Sequence, residues 1–267
     1  LLCAAVLAAG CGGGEDERPA STPKKIDGVV KIDGDRGLYV RCSGSGSPTV
    51  VMEAGDVDTS ASYDFAVPAV SKATRVCVYD RANLGASDPD PGPRGLDELV
   101  GDLEGLLEAA EIAPPYVLVG TSGGGYIATG YAVRHRDAVA GLVLVETAEP
   151  FRNPPKPIVE ETDPEHPDNV EQRDYLQVEK DAWNARTRIG DVPVKVISAK
   201  PRPDEIASSP FPSERRALRS NVEGQKGWLV LSPRAEQIVV DSGHAVEEED
   251  PQLVIDTILE AVAEAGD

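Results

Sequence analysis

Six compact apolar runs recur along this chain, and the segments between them carry helical spacing. The runs are TVVME at 49–53, RVCVY at 75–79, YVLV at 116–119, AGLVLVE at 140–146, VPVKVISA at 192–199 and a last one at 236–241. Short runs that are apolar at consecutive positions suit strands buried on both faces, as in a parallel sheet. Between them, 59–72 (with a break near Pro68), 96–110, 123–134, 169–189 and 213–230 read as helical, and 251–263 follows as a final helix. In the second of these, Leu96, Leu99, Val100, Leu103, Leu106 and Leu107 fall on one helical face. Ahead of the first run, GVVKID at 28–33 and GLYVRC at 37–42 alternate around a Gly-containing turn and predict a hairpin. Eight strands with interleaved helices imply an α/β domain: a mostly parallel sheet covered on both faces. The Pro-rich, acidic stretch at 150–189 interrupts the alternation and is expected to pass over one end of the sheet as a lid.

The 267 residues before and within this pattern divide into three parts. Residues 1–11 begin with the uncharged run LLCAAVLAAG and end at Cys11. Ten residues are too few for a spanning helix but suit the apolar region of an export signal. Ala8-Ala9-Gly10-Cys11 resembles a bacterial lipoprotein processing site, which makes Cys11 the expected lipid attachment and the cell envelope the expected location. An ordinary secretory signal is the alternative. Residues 12–25, rich in Gly, Pro and charge, read as a tether, and the folded domain is expected over 26–267. The net charge of −20 argues against a nucleic-acid partner, so membrane contact is expected through the anchor alone. Of the remaining cysteines, Cys42 and Cys77 fall inside the domain. In an oxidising compartment an even pair suggests a disulfide, with two buried thiols as the alternative.

Gly120-Thr121-Ser122-Gly123-Gly124 fits G-x-S-x-G between a buried strand and a helix. That context lifts a serine hydroxyl clear of a sheet on a sharp turn. A glycine-rich anion-binding turn is the competing interpretation, but the lysine of a P-loop is missing. A serine needs a base to become a nucleophile. His135 ends a helix between two arginines, and His166 lies in the acidic excursion. His244 follows the last strand, at the sheet edge where Ser122 stands, and late in the chain. His244 is therefore the expected base. The spacing of His and Cys contains no metal motif, and no cofactor is expected.

These segments together resemble the α/β-hydrolase family over residues 26–267. The matching pieces are VVMEAG at 50–55, VCVYDRANLGASD at 76–88, VLVGTSGGG at 117–125, AGLVLVE at 140–146 and DSGHAVEEEDP at 241–251. The chain departs from the family at Thr121, where many relatives carry His, and at Glu53-Ala54, where many carry an apolar residue and His. The resemblance implies an acyl-enzyme mechanism, with Ser122 attacking an ester carbonyl and His244 as general base. It also implies an oxyanion hole built from the backbone N–H groups of Asp56 and Gly123, with the Asp56 carboxylate turned away from the developing charge. The second and fourth strands of such a sheet are neighbours, which implies a Cys42–Cys77 disulfide. Two carboxylates compete for the third triad position: Glu146, ending the sixth strand, and Asp204, after the seventh. A cofactor-free perhydrolase or carbon–carbon hydrolase, and a catalytically silent binding lipoprotein, are the alternatives to an esterase. The charged lid hints at a small or polar substrate.

Overall fold

The computed structural model describes residues 25–153, 163–167, 169–208 and 212–266. The expected signal segment with Cys11, nearly all of the expected tether and part of the excursion lie outside the described residues. Eight strands form one sheet: β1 (Ile26–Asp33), β2 (Arg36–Ser43), β3 (Thr49–Glu53), β4 (Val76–Tyr79), β5 (Tyr116–Thr121), β6 (Val139–Val145), β7 (Val194–Ala199) and β8 (Ala235–Val240). Their order is β1-β2-β4-β3-β5-β6-β7-β8. β2 runs antiparallel to both β1 and β4, whereas β3 to β8 are parallel. The helices are α1 (Val67–Val70), α2 (Leu96–Ala109), α3 (Gly124–Arg134), α4 (Tyr175–Ala185), α5 (Pro203–Ser208), α6 (Pro212–Gln225), α7 (Val246–Glu249) and α8 (Pro251–Ala265). Among the described residues no helix is long and apolar enough to cross a membrane.

The period of two along a strand explains why the central runs are apolar throughout. In β5, Tyr116 and Leu118 face a core shared with α2 and α3, while Val117 and Val119 face the opposite core with α1 and α8. Leu142 and Leu144 of β6 divide from Val143 and Val145 in the same way. Chain order reverses at β3, which lies between β4 and β5. In open α/β sheets such a reversal leaves a crevice beyond the carboxyl ends of the strands, where ligands bind. Cys42 stands opposite Cys77 in the β2–β4 register, and a disulfide joins them across Cα atoms 4.2 Å apart.

Two helical expectations need correction. Residues 59–72 hold a 3-10 turn at Ser60–Tyr63 and then the short α1. Pro68 sits in the first turn of α1, where its missing N–H leaves nothing unsatisfied, so it opens a helix and does not break one. The predicted helix at 169–189 contracts to α4. Before it, the Asn169 side chain bonds both the N–H and the C=O of Arg173, at 3.0 and 2.9 Å. Such side-chain bonds to backbone compete with helix formation. Asp174 then caps α4 by accepting from the Gln177 N–H at 3.0 Å.

Candidate active site

Ser122 follows β5 directly, with φ of 49°, a left-handed conformation that a residue with a side chain adopts only under constraint. The constraint is the turn from β5 into α3, where the strand and helix backbones nearly touch. A Cβ on Gly120 would lie 2.5 Å from the Gly125 Cα. The Ser122 N–H donates to Val145 O at 2.8 Å, continuing the β5–β6 ladder, while its side chain leaves the sheet edge.

Glu146 is the counterpart directly after β6, also left-handed at φ 48°. Its carboxylate is 3% exposed and gathers donors from three elements. Oε1 accepts from the Ala199 N–H at the end of β7 (2.6 Å) and from Gln225 Nε2 on α6 (2.9 Å). Asn221 Nδ2, also on α6, reaches both oxygens, at 3.1 and 3.0 Å. Oε2 meets His244 Nδ1 at 3.2 Å, and His244 Nε2 lies 3.2 Å from Ser122 Oγ. A buried carboxylate, an imidazole and a serine hydroxyl thus form one hydrogen-bonded row. Asp204, the alternative acid, is exposed on α5 and is not brought to His244. The nearby Arg202 pairs with Glu249. His135 is occupied elsewhere, with Nε2 2.8 Å from Glu104 and its ring against Tyr131.

The loop after β3 brings Gly55 and Asp56 to the nucleophile. A Cβ on Gly55 would stand 3.8 Å from the Ser122 Cβ. Among the described residues neither the Asp56 N–H nor the Gly123 N–H is given to an acceptor. The Asp56 carboxylate does not turn away from the elbow as expected. It rests on the Cα of Gly123, where a Cβ would come within 1.8 Å of Oδ1, and it pairs with Arg173.

Arg173 belongs to a chain of buried charges that sequence inspection did not single out. Arg173 Nη2 donates to Glu171 Oε2 at 2.9 Å. Arg81, directly after Asp80 at the end of β4, meets the same carboxylate through Nε (2.8 Å) and Nη2 (2.9 Å). Its Nη1 meets Glu53 Oε1 at 2.8 Å. Burial alone would push the Glu171 carboxyl up, but Arg173 and Arg81 outweigh it and hold it at about 2. The signal available in the sequence was charge at strand ends, Glu53 closing β3 and Asp80-Arg81 following β4, where an ionisable group must find a partner.

A cavity of about 200 Å³ opens at Ser122, lined among others by Asp56, Tyr126, Arg173, Tyr175 and Glu179. Glu179, on α4, accepts from the Phe151 N–H at 2.7 Å and from the Tyr126 hydroxyl at 3.3 Å. Its burial pushes its carboxyl up to about 7. Elsewhere the carboxylates of Glu236, Glu260 and Glu264 converge, and the Lys195 ammonium lies among them.

Residues 48–194 match the sequence profile of the alpha/beta hydrolase fold. The chain belongs to the alpha/beta hydrolase fold family. Among solved structures, a thermophilic esterase from Thermogutta terrifontis superposes with a TM-score of 0.63 at 20% identity, over 91% of this chain and 99% of that one. The epoxide hydrolase CorEH does so with a TM-score of 0.66 at 17% identity, over 88% and 97%. In sequence, the chain is 25% identical to the uncharacterized protein YqjL of Bacillus subtilis (strain 168), over 83% of this chain and 89% of that protein. It is 30% identical to the putative carbamate hydrolase RutD of Azorhizobium caulinodans, over 42% of each. These likenesses establish the fold, on which many chemistries are carried.

Proposed function

We propose that this protein is a serine hydrolase that cleaves an ester or related acyl bond through an acyl-enzyme. The observation that carries this reading is the row Ser122 Oγ, His244, Glu146, with both contacts at 3.2 Å. In the resting state Glu146 accepts a hydrogen bond from the Nδ1–H of His244 and leaves the Nε2 lone pair facing Ser122. As Ser122 Oγ bonds to the acyl carbon, its proton passes to Nε2, and the carbonyl oxygen gains charge against the N–H groups of Asp56 and Gly123. The tetrahedral adduct collapses, His244 gives the proton to the departing alkoxide, and an ester links the acyl group to Ser122. Water, deprotonated by His244, then releases the acid and restores the serine. Hydrolases among the relatives support the general chemistry, and the small cavity favours a short acyl group. The test is labelling of the folded protein with a fluorophosphonate probe. Ser122 is expected to be the labelled residue, with labelling abolished in Ser122→Ala. A wild-type protein that stays unlabelled overturns the reading and returns the fold to a binding role.

We further propose that the protein is exported and held at the cell envelope through lipid on Cys11. The Cys42–Cys77 disulfide supports export, since reducing compartments keep such pairs as thiols. Cells fed labelled palmitate are expected to incorporate it into the full chain, and Cys11→Ser is expected to abolish incorporation. Label that survives the substitution overturns the assignment.

A further inference from the structure

Asp56 is an awkward residue for its place. Under the reading above, its N–H stabilises an oxyanion, yet its carboxylate lies on the Cα of Gly123, the other donor residue. At an effective dielectric of about 20, two negative charges a few ångströms apart repel enough to slow a step by ~10²-fold or more. Such a site works only if the carboxylate is neutralised and held still. Among the described residues one cation meets it: Arg173, whose side chain is 1% exposed and which lines the same cavity as Ser122.

Arg173 is itself fixed in place. Its backbone N–H and C=O are both bonded by Asn169, and its guanidinium is braced on Glu171. Glu171 reaches past it to the oxyanion loop and accepts the Val57 N–H at 2.7 Å. Val57 has φ of 60°, a strained conformation for a β-branched side chain. The residue next to the oxyanion donor is therefore held in an unfavourable backbone state by a carboxylate two positions from Arg173. Arg81 completes the frame by donating to the carbonyls of Ala54 (2.7 Å) and Gly55 (2.6 Å). In a trans peptide the C=O and the following N–H point in opposite directions. Pulling the Gly55 carbonyl toward Arg81 thus aims the Asp56 N–H away from Arg81.

We propose that Arg173 is a positioning residue for acyl transfer, clamping and neutralising the Asp56 carboxylate so that the Asp56 N–H can serve the oxyanion beside Ser122. The inference rests on the serine-hydrolase reading. It makes the segment between β6 and β7 part of the catalytic frame as well as a cover. Substrate need not touch Arg173, and the effect of losing it falls on turnover more than on binding.

The experiment uses the full chain, p-nitrophenyl butyrate and the fluorophosphonate probe, with folding of each variant checked by thermal unfolding. Arg173→Met is expected to lower kcat by about 10²-fold with KM within about threefold, and to slow probe labelling by a similar factor. Asp56→Asn alone is expected to cost less, because the replaced side chain carries no charge. Combining the two is expected to recover at least tenfold of the kcat lost in Arg173→Met, since the charge that needed neutralising is gone. Arg173→Lys is expected to fall between wild type and Arg173→Met. Losses that multiply in the double variant, or a loss confined to KM, overturn the proposal. A wild type that labels and turns over while the double variant shows no recovery refutes this inference alone. A wild type that does neither overturns the serine-hydrolase reading and this inference with it.

Discussion

Glu146→Gln is expected to lower kcat by on the order of 10⁴-fold with the fold intact, whereas Asp204→Asn leaves turnover near wild type. The reason lies in which donors surround each oxygen. Oε1 accepts from Ala199, Asn221 and Gln225, while Oε2 faces Asn221 and His244. A glutamine puts its carbonyl oxygen where three donors converge, so its NH₂ must face His244 Nδ1. The imidazole then accepts at Nδ1 and carries its proton on Nε2, toward Ser122. A ring in that tautomer can donate to the serine but cannot take its proton. Asp204 is exposed on α5 and shares no hydrogen bond with the ring, so its neutralisation changes only surface charge. Steady-state kinetics on a short-chain nitrophenyl ester, with thermal unfolding run alongside, checks both variants. A crippled Asp204→Asn beside an active Glu146→Gln would reverse the assignment.

The strand runs, the elbow and the late histidine were legible because each obeys a local rule. Consecutive apolar residues mark a strand buried on two faces, and a serine between glycines at a strand–helix junction marks a sharp turn. Glu146 could be suspected for a similar reason, since an ionisable group closing a buried strand must be paired. What supports it was not legible. Asn221 and Gln225 stand one helical turn apart on α6, and nothing in EGQ or its surroundings says that this face meets β6 across β7. The same limit hid Arg173. Its carboxylate partners come from the loop after β3, which carries Asp56, and from its own turn, which carries Glu171, and Asp56 stands 117 positions away in the chain. Periodicity reports which face of an element is buried, but not which distant side chain shares that burial. The sequence at 169–174 is compatible with the start of a helix. Asn169 overrides that preference through bonds to Arg173 that only the folded geometry reveals.

Arg81→Met is expected to destabilise the protein by about 4 kcal/mol at neutral pH, the middle of the range for breaking a buried ion pair from one side. Arg81 is buried and serves two carboxylates and two carbonyls: Glu53, Glu171, Ala54 and Gly55. Methionine fills a similar volume but returns none of these bonds, so the groups left behind lose their donors without regaining water. Lysine keeps the charge but offers one ammonium where a planar fork had met four acceptors, and it is expected to recover only part of the loss. The pH dependence separates an ionic origin from poor packing. The Glu171 carboxyl stands at about 2 in the folded protein against an ordinary 4.5. A folded-state value below the unfolded one contributes stability that is complete above about pH 4.5 and is lost as pH falls toward 2, amounting to about 3 kcal/mol for a shift of this size. Without Arg81 the shift shrinks, so the variant has less to lose in acid. Its deficit relative to wild type, measured by urea unfolding across pH 7 to 2.5, is expected to be largest at neutral pH and to narrow below pH 4.5. The comparison cancels the carboxylates whose surroundings do not include Arg81. A deficit that stays constant across that range would mean that shape, and not charge, is what Arg81 supplies.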